Sequence, residues 1–133
     1  MGMVRPPTSN GLFRYMATHK RFLAWQECHK LVLAIYQVTE CFPKHETYGL
    51  TSQLRRAALS AAVNIVEGAS KKGRNEFRHF LDISLGSLSE VEYELEVAAA
   101  LRYLKEEACP PLTNQVRRAH FLTWKLKMSM NDS

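Results

Sequence analysis

The sequence predicts an all-α protein, an antiparallel up-down-up-down four-helix bundle. Three observations carry that expectation. Apolar residues recur at three–four spacing in four separate stretches. No segment alternates with period two between turn signals, so strands are not expected. The connections between the four stretches are short, which favours antiparallel neighbours.

Residues 1–20 hold Pro6-Pro7 and then Thr8-Ser9-Asn10-Gly11 without a sustained period. They read as a flexible N-terminal tail, and the bundle is assigned to residues 21–130. The first helix carries Trp25, Cys28, Leu31, Val32, Ile35, Val38 and Phe42 on one stripe. Phe42-Pro43 ends it, because a residue before Pro avoids the α region. The second runs over residues 48–68, with Leu50, Leu54, Ala57, Ala58, Ala61 and Ile65 in line and Gly68 as its stop. The third starts at residues 73–75 and has Glu76 in its first turn, where a carboxylate suits the helix dipole. Its stripe of Phe77, Leu81, Ser84, Leu88, Val91, Leu95 and Ala98 extends the helix to about Leu104. Pro110-Pro111 opens the fourth, since proline fits a first helical turn, and Leu112, Val116, Ala119, Thr123, Leu126 and Met130 form its stripe.

At 133 residues the chain makes one domain, and 46% apolar with 23% charged residues is ordinary for a globular protein. No stretch approaches the ~18–20 apolar residues of a membrane span, so no membrane partner is expected. The N-terminus lacks a secretion signal, and Pro6 stands where a myristoylation signal needs Ser or Thr. Cys28, Cys41 and Cys109 are odd in number and form no CxxC pair. Reduced thiols and a cytoplasmic setting are the expectation.

Two helices carry more apolar surface than one core stripe needs. Leu59, Val63 and Val66 lie off the stripe of the second helix, and Phe80, Ile83 and Leu85 off that of the third. Either the core is wide, or these six residues form an interface between copies in a homo-oligomer.

With the helices placed, one signature becomes recognisable. It comprises Phe42-Pro43, Glu46, the run YGLTSQLRRAA over residues 48–58, Asn64-Ile65 and Glu67-Gly68. It continues through Glu76-Phe77, Phe80-Leu81 and GSLSE over residues 86–90, with Trp25-Gln26 and Ile35-Tyr36 before it. Over residues 22–126 the chain resembles the four-helix-bundle family of proteins encoded within intervening sequences of bacterial 23S ribosomal RNA genes. A distant structural relative of that family is the accessory variability protein of diversity-generating retroelements. The resemblance implies a homopentamer, ring- or barrel-shaped with a basic surface, and a suspected role in binding nucleic acid. Ala61-Ala62 stand where the family often has Ile-Pro, so the second helix is expected to run straighter. Val66 replaces the family's usual Ala.

The formal charge of +5 is unevenly spread. Residues 1–78 carry 12 Lys+Arg against 5 acids, residues 79–107 carry 2 against 7, and residues 108–133 carry 4 against 1. Lys71, Lys72 and Arg74 fall in the connection between the second and third helices, with Arg78 one turn on; Arg117-Arg118 sit in the last helix. These six are the candidate contacts to RNA or DNA backbones, which cations bind without reading sequence and with strong salt dependence. The competing reading is a solvated surface with ion pairs inside the bundle. Arg55 or Arg56 is expected to serve structure by pairing with an acid of the third helix such as Glu92.

Other chemistry finds little footing. Glu90, Glu92, Glu94 and Glu96 split onto two helix faces, Glu90/Glu94 and Glu92/Glu96. Glu76 and His79 match a di-metal Glu-x-x-His pair once, without the second copy such a site needs. No HExxH, Walker loop, GxGxxG or nucleophile motif is present. The sequence therefore predicts a non-enzymatic, homo-oligomeric bundle with no metal or cofactor that binds nucleic acid. The alternative is a protein–protein interaction scaffold without nucleic-acid binding.

Overall fold

The computed structural model describes residues 18–130. Most of the 1–20 stretch assigned to the tail lies outside them. The described part of it opens with a single 3-10 turn, His19–Arg21, whose His19 ring meets Trp25 edge-on at 4.7 Å.

Four α-helices follow: α1, Leu23–Thr39; α2, Leu50–Ala69; α3, Arg74–Ala100; and α4, Cys109–Met128. No strand occurs among the described residues. Helix α1 ends three residues earlier than its apolar stripe: the Glu40 and Phe42 N–H groups bond only three residues back, to the Gln37 and Thr39 carbonyls, and Phe42 packs as a buried loop residue. Helix α3 stops at Ala100 rather than about Leu104. Arg102 there adopts a left-handed conformation (φ 66°), and the Tyr103 and Arg102 N–H groups bond back to Ala98 and Ala99. That double bond is the Schellman closure of a helix C-terminus.

Contacts across the helices fix their directions. Between α2 and α3, Ser60 meets Ser87 at 2.7 Å and Ser84 donates to the Ala61 carbonyl at 2.8 Å. Gly68 lies against Phe77 and Phe80 further along. As numbers rise on α2 they fall on α3, so the pair is antiparallel. The same holds for α3 and α4, where Glu92 meets Arg117, Asp82 meets Lys127 and Arg78 meets Met130. Helix α1 packs against both α2 and α4, which closes a four-cornered bundle. One end gathers the start of α1, the α2–α3 turn and the end of α4. The opposite end gathers the α1–α2 and α3–α4 connections.

The core follows the predicted stripes. Leu31, Ile35, Leu54, Ile65, Leu81, Leu88, Val91 and Val116 are fully buried. Ser84 and Thr123 share that interior because each has a partner, Ser84 on Ala61 O and Thr123 within 3.9 Å of the Cys28 sulfur. Gly68 does not stop α2; it is buried inside the helix. A Cβ there would come within 2.7 Å of the Phe77 ring, so glycine is what lets α2 and α3 approach closely. Helix α2 is unbroken through Ala61 and Ala62, where the family's proline is absent.

Candidate nucleic-acid interface

The α2–α3 turn is built to present cations. Ser70 closes α2 by donating its hydroxyl to the Glu67 carbonyl at 2.8 Å, and the Lys71 N–H bonds to Gly68 O. Gly73 then caps the start of α3 in an extended conformation. Between these fixed points Lys71, Lys72 and Arg74 are all exposed, and no ion pair joins them to an acid among the described residues. The Lys71 ammonium sits 5.5 Å over the Phe80 ring, a contact that positions the charge without neutralising it.

The fold adds to this cluster residues that are remote in sequence. Lys20 and Arg21 precede α1 at the same end, and both are exposed. The rings of Phe22 and Phe77 meet at 5.6 Å and tie that turn to the start of α3. Arg78 is half-buried and committed to structure, bonding the Met130 carbonyl at 3.3 Å and Asn75 at 3.2 Å. The acids at this end, Glu67 and Glu76, are fewer than the cations.

Arg117 and Arg118 stand differently. Arg117 holds Glu92 of α3 at 3.0 Å and Arg118 holds Glu27 of α1 at 3.3 Å, while Lys127 takes Asp82. Both arginines are exposed, but each faces a carboxylate on a neighbouring helix. Glu92 is thereby occupied from α4. Of Arg55 and Arg56, one of which was expected to reach toward α3, Arg55 turns the other way to α1: it donates to Thr39 at 2.8 Å and to the Tyr36 carbonyl at 3.2 Å, with its guanidinium over the Tyr36 ring.

The six candidate interface residues divide. Leu59, Val63 and Ile83 are exposed, whereas Val66, Phe80 and Leu85 are half-buried. Leu85 stands seven residues from both Arg78 and Glu92, on the flank of α3 that meets α4. Sequence reasoning left other members of the apolar surface unassigned. Phe121 and Trp124 stack at 6.2 Å on the outside of α4, beside a cleft of about 440 Å³ also lined by Ser89, Glu92, Arg117 and His120. Leu33 and Tyr36 stand exposed on α1. Both pairs lie off the core stripe of their helix, the same signal that singled out Leu59 and Val63.

The glutamates split as expected: Glu92 faces α4, and Glu94 shares the α2-facing flank with Ser87, seven residues earlier. Glu94 has one carboxylate oxygen buried without a hydrogen-bond partner. Desolvation, aided by the charge of Glu90 one turn away, raises its pKa to about 7. Burial pushes the Cys28 thiol up to about 12, which leaves it inert as a nucleophile. No group of three or more His, Cys, Asp or Glu that could hold a metal occurs among the described residues. None of the described helices is long and apolar enough to cross a membrane.

Comparison with known proteins supplies the family. The chain resembles a solved structure of a protein of unknown function from the S23 ribosomal protein family of Bacteroides thetaiotaomicron. The TM-score is 0.73 at 20% identity, covering 80% of this chain and 96% of that one, a likeness of fold. No curated protein matches. The family model of the 23S rRNA-intervening sequence proteins matches residues 20–123, from just before α1 to the last buried turn of α4. With that match spanning all four helices, the chain belongs to the 23S rRNA-intervening sequence protein family.

Proposed function

We propose that this protein is a non-enzymatic, homo-oligomeric bundle that binds the phosphate backbone of RNA or DNA through its basic end. The observation that carries the reading is the convergence of Lys20 and Arg21 with Lys71, Lys72 and Arg74, the last three in no ion pair among the described residues. Exposed cations at one end of a rigid body attract a polyanion, and their flexible stems adapt to phosphate spacing without packing cost. Repetition of that end in an oligomer would multiply a weak contact by avidity. The family's link to ribosomal RNA genes supports RNA as the first ligand to test, in a cytoplasmic setting.

The experiment is a titration of the full chain with a ribosomal RNA fragment and with generic duplexes across salt. Binding should weaken linearly on a log–log plot as salt rises, with little preference for sequence. Absence of binding at low salt, or affinity indifferent to salt, overturns the proposal. A second reading, a protein-interaction scaffold, draws on the exposed Phe121 and Trp124, since aromatic side chains are enriched at protein interfaces.

A further inference from the structure

Between α2 and α3, away from the basic end, lies a polar pocket of about 340 Å³ lined by Gln53, Arg56, Ala57, Ser60 and Glu90. Small-ligand sites run from about 300 to 1,000 Å³, so the volume is sufficient for a planar heterocycle. Ala57 is buried and gives the pocket an apolar wall. The Ser60 hydroxyl is fixed by Ser87 at 2.7 Å and by the Asn64 amide at 3.1 Å. Gln53, Arg56 and Glu90 are exposed.

Arg56 and Glu90 line this pocket from different helices, yet no ion pair joins them. Elsewhere the bundle closes such pairs across its helices, Arg117 on Glu92 at 3.0 Å and Arg118 on Glu27 at 3.3 Å. Neither Arg56 nor Glu90 is in any ion pair among the described residues. A guanidinium and a carboxylate held apart across a pocket offer donors on one wall and acceptors on the other. They belong to the runs YGLTSQLRRAA and GSLSE, and neither side chain serves the core or the basic end.

We infer that this pocket takes an unpaired guanine of a bound strand. The inference rests on the phosphate-binding part of the proposed function and adds a selectivity to it. Among the four bases, guanine alone sets two donors side by side, N1–H and N2–H₂. Its adjoining edge sets two acceptors side by side, O6 and N7. The donors match the Glu90 carboxylate, and the acceptors match the guanidinium fork of Arg56. Adenine, cytosine and uracil alternate donor and acceptor, so each would turn an acceptor toward the carboxylate. In a duplex the N1–N2 edge is already paired, and duplexes are held through their phosphates alone.

A strand anchored at the basic end can reach the pocket. Lys71, over the Phe80 ring, stands at the head of the same α2–α3 groove. Arg56 lies about 20 Å along α2 from Ala69, where the helix ends. At about 3.4 Å per stacked nucleotide, roughly six nucleotides span that distance.

The test uses the full chain and oligouridines long enough to reach from the basic end to the pocket. Each carries one guanine, adenine, cytosine or inosine, and binding is read by fluorescence anisotropy at fixed low salt. The guanine strand should bind about tenfold more tightly than plain oligouridine, with adenine and cytosine within about twofold of it. Inosine lacks N2–H₂ and should lose several-fold of that gain. Glu90→Gln and Arg56→Gln should each remove the guanine preference and leave plain oligouridine within about twofold of wild type. K71A/K72A/R74A should weaken every strand alike and keep the preference. The inosine comparison needs no variant, so it decides the matter even if one fails to fold. Equal affinity for all strands overturns the pocket assignment and leaves the backbone reading standing. Failure of every strand to bind overturns both. A preference that survives both pocket variants also overturns the inference, as does a change of particle size in both by light scattering, which assigns Arg56 and Glu90 to assembly.

Discussion

The two ends of the bundle use the same kinds of residue for opposite purposes. At the end opposite the basic one, polar side chains are consumed in holding the connections. Glu46 accepts the Leu50 N–H at 2.9 Å and so caps α2, while its second oxygen takes the Tyr103 hydroxyl at 2.8 Å. His45 lies 3.3 Å from that hydroxyl, and the Phe42 ring meets the Tyr103 ring at a tilt, 5.4 Å between centroids. These bonds favour the ionised carboxylate: the Leu50 N–H, then the Tyr103 hydroxyl, hold Glu46 below its ordinary pKa. At the basic end packing joins the elements, through Gly68 against Phe77 and Phe80 and through Phe22 against Phe77, with Arg78 drawn onto Met130 and Asn75. Lys71, Lys72 and Arg74 take part in none of these bonds and stand exposed to a partner. Comparing the ends separates charges that fold the protein from charges it can lend to a partner.

The largest effect expected from that separation is on affinity. Replacing Lys71, Lys72 and Arg74 together by Ala should lower affinity for RNA about 100-fold at low salt and make the salt slope shallower by roughly 2–3. Thermal stability should hardly move, since none of the three is in an ion pair among the described residues. Lys44→Ala with Lys105→Ala at the opposite end, two exposed cations again, should change affinity less than twofold. Equal losses from the two sets, read by fluorescence anisotropy across salt, would erase the distinction between the ends.

A smaller effect concerns how each end is built. Gly68→Ala puts a Cβ within 2.7 Å of the Phe77 ring and 3.0 Å of the Phe80 Cβ. Overpacking of that kind costs about 1–3 kcal/mol, partly offset by alanine's better helix propensity, so a net loss of about 1–2 kcal/mol is expected. At the other end Gly49→Ala places its Cβ 2.6 Å from Glu46 Oε1, the atom that caps α2. That carboxylate is the mobile tip of a side chain and can swing away. The cost is therefore the cap alone, about 1 kcal/mol. Denaturant melts of the two variants rank them, and a larger loss at Gly49 would mean that the polar end is the more rigid.

Much of this was legible in the sequence, for reasons that particular residues make plain. The four helices were, because apolar spacing reports burial directly: Leu54, Ile65, Leu81 and Val116 fall on predicted stripes and are fully buried. Helix ends were less so. Hydrogen bonds set them, the Glu40 N–H to Gln37 and the Tyr103 N–H to Ala98, and a periodicity does not encode those. Gly68 was legible as special but not as a packing device, since its reason sits nine residues away on another helix. Among the candidate cations, the exposure of the loop residues was readable because a turn has nothing opposite it. The ion pairs of Arg117 and Arg118 were not, because they depend on where Glu92 and Glu27 come to lie once the helices are in register.

The smallest expected effect falls on Arg102, and it runs in the stabilising direction. Its φ of 66° closes α3 in the left-handed region, where a Cβ is crowded and glycine is the usual residue. Arg102→Gly removes that strain, worth about 1 kcal/mol, and returns part of it as added freedom in the unfolded chain. The net should be a gain of about 0.5 kcal/mol, seen as a rise of a few degrees in the melting midpoint. RNA affinity should stay unchanged, because Arg102 lies at the opposite end from Lys71, Lys72 and Arg74. This variant removes a cation yet leaves the basic end intact. A drop in affinity equal to that of a single loop lysine would show that net charge governs binding, and the contrast between the two ends would then lose its functional meaning.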